Sequence, residues 1–171
     1  MAREHATEES ESMKNHALAL LVLTATTGAH AWRVIPISGG FDGGYTMTEK
    51  AKAPIKTWLR AEHPTLNFQC DKKGTTLWLE VSNRLAYSGV FHRSRVRYRF
   101  DGGKIISELW HDAVNHGAFG SPSVVRMLSG MRNAKTVEFE VTPHNSGSVS
   151  FAFDLSDFNA AHEDFKKSCK R

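Results

Sequence analysis

The stretch Leu66-Asn67-Phe68-Gln69-Cys70-Asp71-Lys72-Lys73-Gly74-Thr75-Thr76-Leu77-Trp78-Leu79-Glu80-Val81 decides the fold. Apolar and polar residues alternate on both sides of a polar turn running from Asp71 to Gly74. Successive side chains of a strand point to opposite faces, so a period of two interrupted by a turn marks an antiparallel hairpin with one buried face. Leu66, Phe68 and Cys70 share that face on the first strand and Leu77, Leu79 and Val81 on the return, leaving Trp78 and Glu80 outward.

Working outward, the same period recurs. After a loop over 84–89, residues 93–100 alternate with Val96, Tyr98 and Phe100 on one side, and Asp101-Gly102-Gly103 turns the chain into a strand over 104–110. Residues 136–142 and 148–155 form another pair around Asn145-Ser146-Gly147, with Val137, Phe139 and Val141 inward on one and Val149, Phe151 and Phe153 on the other. Upstream, 32–37 reads as a first strand and 38–44 as a loop. Residues 45–59 fit one or two irregular strands or a short helix from Pro54, with strands favoured. Two helices complete the pattern. Ser121 as N-cap and Pro122 in the first helical position open one near 122–130, with Val124, Val125 and Leu128 as its apolar side and Gly130 as its stop. Ser156 or Asp157 caps another near 157–169, where Phe158, Ala161, Phe165 and Cys169 fall at helical spacing and Cys169 joins the buried face. No repeat or low-complexity stretch appears. The expected fold is mainly β, an antiparallel β-sandwich with two short α-helices.

The N-terminal segment has a different logic. From Met13, Lys14 and His16 form a short charged region, 17–23 is apolar, and Ala29-His30-Ala31 fits a signal-peptidase site that cuts before Trp32. Glu4, Glu8, Glu9 and Glu11 precede it as an acidic leader, so Met13 is the alternative start. The competing reading is an amphipathic helix docked on the domain through Ala17, Leu18, Leu20, Leu21 and Leu23. The apolar run is shorter than the roughly 20 residues that span a bilayer. The expected organisation is therefore a leader and signal peptide over 1–31 and a single β-rich domain over 32–171, periplasmic or secreted.

The 22 Lys+Arg and 18 Asp+Glu of the whole chain give +4, and loss of 1–31 leaves 20 and 14, or +6. That balance permits contact with anionic surfaces but is ordinary for solubility, and it argues against nucleic acid as a partner. The two cysteines, Cys70 and Cys169, invite one disulfide in an exported chain and would be free buried thiols in a reducing compartment. Neither has a second ligand at metal-binding spacing, so no metal and no cofactor are expected.

Two constellations carry possible chemistry. Ser107, Glu108, His111, Asp112 and His116 form the densest ionisable cluster and include the residue types of a hydrolytic triad. Adjacency does not make a triad, however, and His111 and His116 at i, i+5 suit neither strand nor helix ligation. No G-x-S-x-G, phosphate loop or H-E-x-x-H is present. Arg93, Arg95, Arg97 and Arg99 at spacing two project from one strand face over about 20 Å. They form a basic stripe for a phosphate or carboxylate partner, with Trp78 available to stack under a guanidinium, unless Glu80, Glu138 and Glu140 neutralise it across strands.

Four stretches resemble the VasI-like proteins associated with type VI secretion systems: the strand ending in Cys70 with its hairpin, Val96-Arg97-Tyr98-Arg99-Phe100-Asp101 leading to Trp110, the segment 123–131, and Phe153-Asp154-Leu155-Ser156-Asp157-Phe158 through to Cys169. The likeness spans about 65–171. It implies a β-rich exported accessory protein, a Cys70–Cys169 disulfide and no established catalytic residue. The expected function is a non-catalytic accessory or interaction protein whose partner is an envelope or secretion-system protein, without stable membrane insertion. The alternatives are a binding module for an anionic envelope component or acidic protein through the arginine stripe, and a small hydrolase.

Overall fold

The computed structural model describes residues 31–37, 44–56, 61–72, 74–81, 93–113, 118–142 and 147–170, with the backbone alone for 112, 113, 118 and 119. The expected signal peptide lies, but for Ala31, outside the described residues, as do His116, the loop over 84–89 and most of the 38–44 loop.

In chain order the elements are β1 (Arg33–Ile37), β2 (Gly44–Lys50), β3 (Ile55–Lys56), β4 (Ala61–Glu62), β5 (Thr65–Asp71), β6 (Gly74–Glu80), β7 (Arg93–Phe100), β8 (Ile106–Ala113), β9 (Ala118–Gly120), α1 (Val124–Arg132), β10 (Thr136–Val141), β11 (Val149–Asp154) and α2 (Phe158–Cys169). The 66–81 hairpin forms as its alternation requires, pairing Leu66 with Leu79 and Phe68 with Leu77. β3 and β4 pair in a small ribbon of their own. The other nine strands make one antiparallel sheet in the order β1-β2-β5-β6-β9-β8-β7-β10-β11. The fold is thus antiparallel and mostly β with two helices, its two layers being the halves of a single curled sheet.

The curl brings the two edges together. Trp32 Nε1 donates to the Asp154 carbonyl at 2.8 Å, Lys52 N donates to the Ala152 carbonyl at 2.8 Å, and Lys52 Nζ meets Asp154 Oδ2 at 2.8 Å. An unpaired sheet edge is a template for aggregation, and these bonds occupy part of β11. Between the halves Tyr98, Trp110, Phe139, Phe151 and Phe153 pack ring to ring at 5.8–6.4 Å. Trp32, Phe68 and Phe158 form a second aromatic group at 5.0–6.1 Å where α2 covers β1 and β2. Burying each such ring stabilises by about 1.5–3 kcal/mol.

The helices depart from expectation in detail. α1 begins at Val124 with Ser123, not Ser121, as N-cap; Ser121 Oγ instead accepts the Ser123 N–H at 3.2 Å and shapes the turn before it. Its buried face is Met127 and Met131 with Val124 and Leu128 beside them, whereas Val125 is 81% exposed. Gly130 does not stop the helix. It lies inside α1 because Phe100 packs there, and a Cβ at this position would fall 2.3 Å from two ring carbons. In α2, His162 joins Phe158, Ala161 and Phe165 on the buried face, while Cys169 is exposed, since it sits at the last turn, past the sheet it is tied to. The strand expected over 104–110 starts later, as β8, and runs on to Ala113.

Candidate functional site

The four arginines of β7 project from the outer face and divide into two pairs. Cross-strand register with β10 sets Arg97 against Glu140 and Arg99 against Glu138, and the side chains join at 2.6 and 2.5 Å. These half-exposed pairs solvate the sheet, each contributing about 0.2–1 kcal/mol. A shallow depression of about 160 Å³ lies over them, bounded by Ile105 and Ser150. Arg93 and Arg95 extend beyond β10 and face His111 and Leu109 on β8 instead. Both are exposed, and among the described residues neither carries an ion pair. Leu109 beside Arg95 is 52% exposed. The surface at this end of the stripe is cationic with an apolar neighbour, a combination that suits a carboxylate- or phosphate-bearing partner.

Trp78 does not stack on this stripe. Register relates it to Gly120, Gly120 to His111, and His111 to Arg93, so Trp78 and Arg93 end one transverse row with β9 and β8 between them. At about 4.8 Å per strand they lie roughly 14 Å apart along the sheet.

The Ser107, Glu108, His111 cluster is also split by the pleat. Ser107 and His111 share the outer face four residues apart, about 13 Å along the strand and far beyond hydrogen-bond reach. Glu108 points inward, accepting from Trp110 Nε1 at 3.0 Å and pairing with Arg126 of α1 at 2.5 Å. Burial, then the Glu108 charge, pushes the neighbouring Tyr98 phenol up to about 12. Glu108 and Arg126 fasten α1 to the sheet. No group of three potential metal ligands occurs among the described residues.

Cys70 and Cys169 are bonded, with Cα atoms 6.0 Å apart and a sequence separation of 99, tying the end of α2 to the end of β5.

Sequence reasoning passed over Glu49, although its alternation with Met47 on β2 turns it inward. It is 9% exposed, and its Oε2 has no hydrogen-bond partner among the described residues. Burial, followed by the Asp157 charge at the N-cap of α2, pushes its carboxyl up to about 7. Asp154 nearby is held down to about 2, chiefly by its bond to Lys52. Ala31 N donates to Asp157 Oδ2 at 2.8 Å. These carboxylates lie beside the residues that lead into β1.

No protein-family model matches the chain, and no curated protein does. The structure is similar to the crystal structure of invasion associated protein B from Bartonella henselae, with a TM-score of 0.51 and 14% identity over 80% of this chain and 99% of that one. At that identity the likeness shows a shared fold.

Proposed function

We propose that the chain is an exported accessory protein that works without catalysis, by presenting the outer face of its sheet to another envelope component. The observation carrying this reading is the Cys70–Cys169 bond, since such bonds persist in oxidising compartments and are rare in reducing ones. The signal-like segment ending at Ala31 supports it from the sequence side, and the resemblance of 65–171 to VasI-like proteins favours a type VI secretion apparatus as its setting. Intact mass of the protein from fractionated cells, with and without reductant, tests the reading. A species starting at Trp32 and two hydrogens lighter before reduction is expected; a full-length, reduced, cytoplasmic species overturns it.

A second reading concerns what that face binds. Arg93 and Arg95, exposed and without ion pairs among the described residues, favour an anionic component or acidic protein. Binding to vesicles containing anionic phospholipid, or to polyglutamate, is expected to weaken with salt and to disappear in Arg93→Ala/Arg95→Ala. Binding that is indifferent to both changes contradicts it.

A further inference from the structure

Trp32, the residue a cut after Ala29-His30-Ala31 would expose, is firmly held. Its ring is 2% exposed, packs on Phe68 and Phe158, and donates through Nε1 to Asp154. The β1–β2 register pairs Arg33 with Thr48, and one residue further it sets Trp32 opposite Glu49. Directly opposed residues in an antiparallel pair have Cα atoms about 4.5–5.5 Å apart. The next amide outward, Ala31 N, already reaches Asp157. Carboxylates from β2 and from the α2 N-cap thus converge on the backbone at the expected cut. Of the described cations near Glu49, Lys52 is bonded to Asp154, and Arg33 is a weaker influence on the Glu49 carboxyl than Asp157 or Asp154. The Lys50 backbone bonds the Glu49 carboxyl, but Oε2 is buried without a hydrogen bond among the described residues, and a buried carboxylate lacking a counter-charge is costly. A cleft of about 440 Å³ bordered by Ala31, Arg33, Glu49, Lys50 and Thr65 leaves room beside it.

We propose that Glu49 and Asp157 form a binding site for a primary ammonium, and that its ligand is the α-amino group of Trp32 created by removal of residues 1–31. Hydrolysis of the Ala31–Trp32 peptide bond by a signal peptidase consumes one water, leaving a carboxylate on Ala31 and an amine on Trp32. The amine takes up a proton and meets the two carboxylates with Trp32 already seated. The new charge then ties the start of β1 to β2 and to the N-cap of α2. The ligand rests on the export reading, whereas the site rests on the geometry alone.

The test compares the full chain with the form beginning at Trp32, released from an N-terminal ubiquitin fusion. The Trp32 amine is expected to titrate at least about one unit above the ordinary 7.7–8.0 of an α-amino group, and near neutral pH to acylate about tenfold more slowly than in Glu49→Gln. Glu49, followed by carboxylate carbon NMR, is expected to titrate near 7 in the full chain and clearly lower in the cut form. Asp157→Asn, which removes the charge at nearly unchanged size, shifts the amine the same way and serves if Glu49→Gln does not fold. An ordinary amine value untouched by either change, or Glu49 titrating near 7 in both forms, overturns the site. Protein from cells that still carries 1–31 overturns the export reading and the ligand, whatever the purified forms show.

Discussion

Arg97 on β7 and Glu140 on β10 occupy the same cross-strand register and join at 2.6 Å, and Arg99 and Glu138 repeat the pairing two residues along. The basic stripe is therefore half neutral. Arg97→Ala and Arg99→Ala are expected to cost about 0.2–1 kcal/mol each, while Arg93→Ala and Arg95→Ala change stability by no more than about 0.5 kcal/mol. Urea denaturation measures both. The reverse order would contradict the division of the stripe.

The disulfide closes a long loop, its cysteines standing 99 positions apart in sequence. Constraint of the unfolded chain over about 100 residues is worth roughly 4–5 kcal/mol. Cys169→Ser, or reduction of the native protein, is expected to lower stability by that order in chemical denaturation. A loss below about 1 kcal/mol would show that the bond does little for the fold.

Glu49 gives the uncut chain a pH dependence of definite sign. Its native pKa of about 7 lies above the 4.5 of an ordinary glutamate, so the native state holds a proton that the unfolded chain releases. This contribution is complete below pH 4.5 and declines through pH 7, by about 3 kcal/mol at most. Glu49→Gln is expected to flatten that limb, as read from unfolding midpoints between pH 4 and 8. An unchanged slope would place the titration elsewhere.

His162 acts in the opposite sense. Burial first, then Arg132 and Lys166, lowers its pKa, with Glu163 opposing, and its ring stacks on Phe158 at 5.6 Å. Arg132 donates to Nδ1, which fits the neutral ring. Its contribution is present above the unfolded value of about 6.5 and is lost as pH falls through the lowered native value. His162→Gln is expected to reduce acid sensitivity below pH 6, measured by thermal denaturation.

Gly130→Ala sets two effects against each other. Alanine in a helix interior gains about 1 kcal/mol over glycine, but the added Cβ would lie 2.3 Å from the Phe100 ring, and overpacking costs about 1–3 kcal/mol. Net destabilisation is expected, relieved when Phe100→Leu accompanies it. A stabilised single variant would mean that the ring yields freely.

The strands were legible because alternation is a local property of the backbone. The 66–81 hairpin, Val137, Phe139 and Val141 on β10, and Phe151 and Phe153 on β11 all took the faces their spacing assigned. The helix ends were less so, because Ser121, Ser123 and Gly130 satisfy the same local rules, and Phe100, distant in sequence, decides what Gly130 does. The candidate site was legible in part. Spacing placed four arginines on one face, but which of them carry a free charge depended on where β10 ends against β7.

The sequence by itself determined an antiparallel β-rich chain with two helices and a cysteine pair able to form at most one internal bond, since side-chain period and cysteine count need no knowledge of neighbours. Only the tertiary structure decided that the strands form one curled sheet, that Trp78 stands three strands from Arg93, and that the Asp157 charge acts on Glu49 beside Trp32. The reason is physical: strand order and the convergence of charges arise from contacts between residues far apart in the chain, and no local period encodes them.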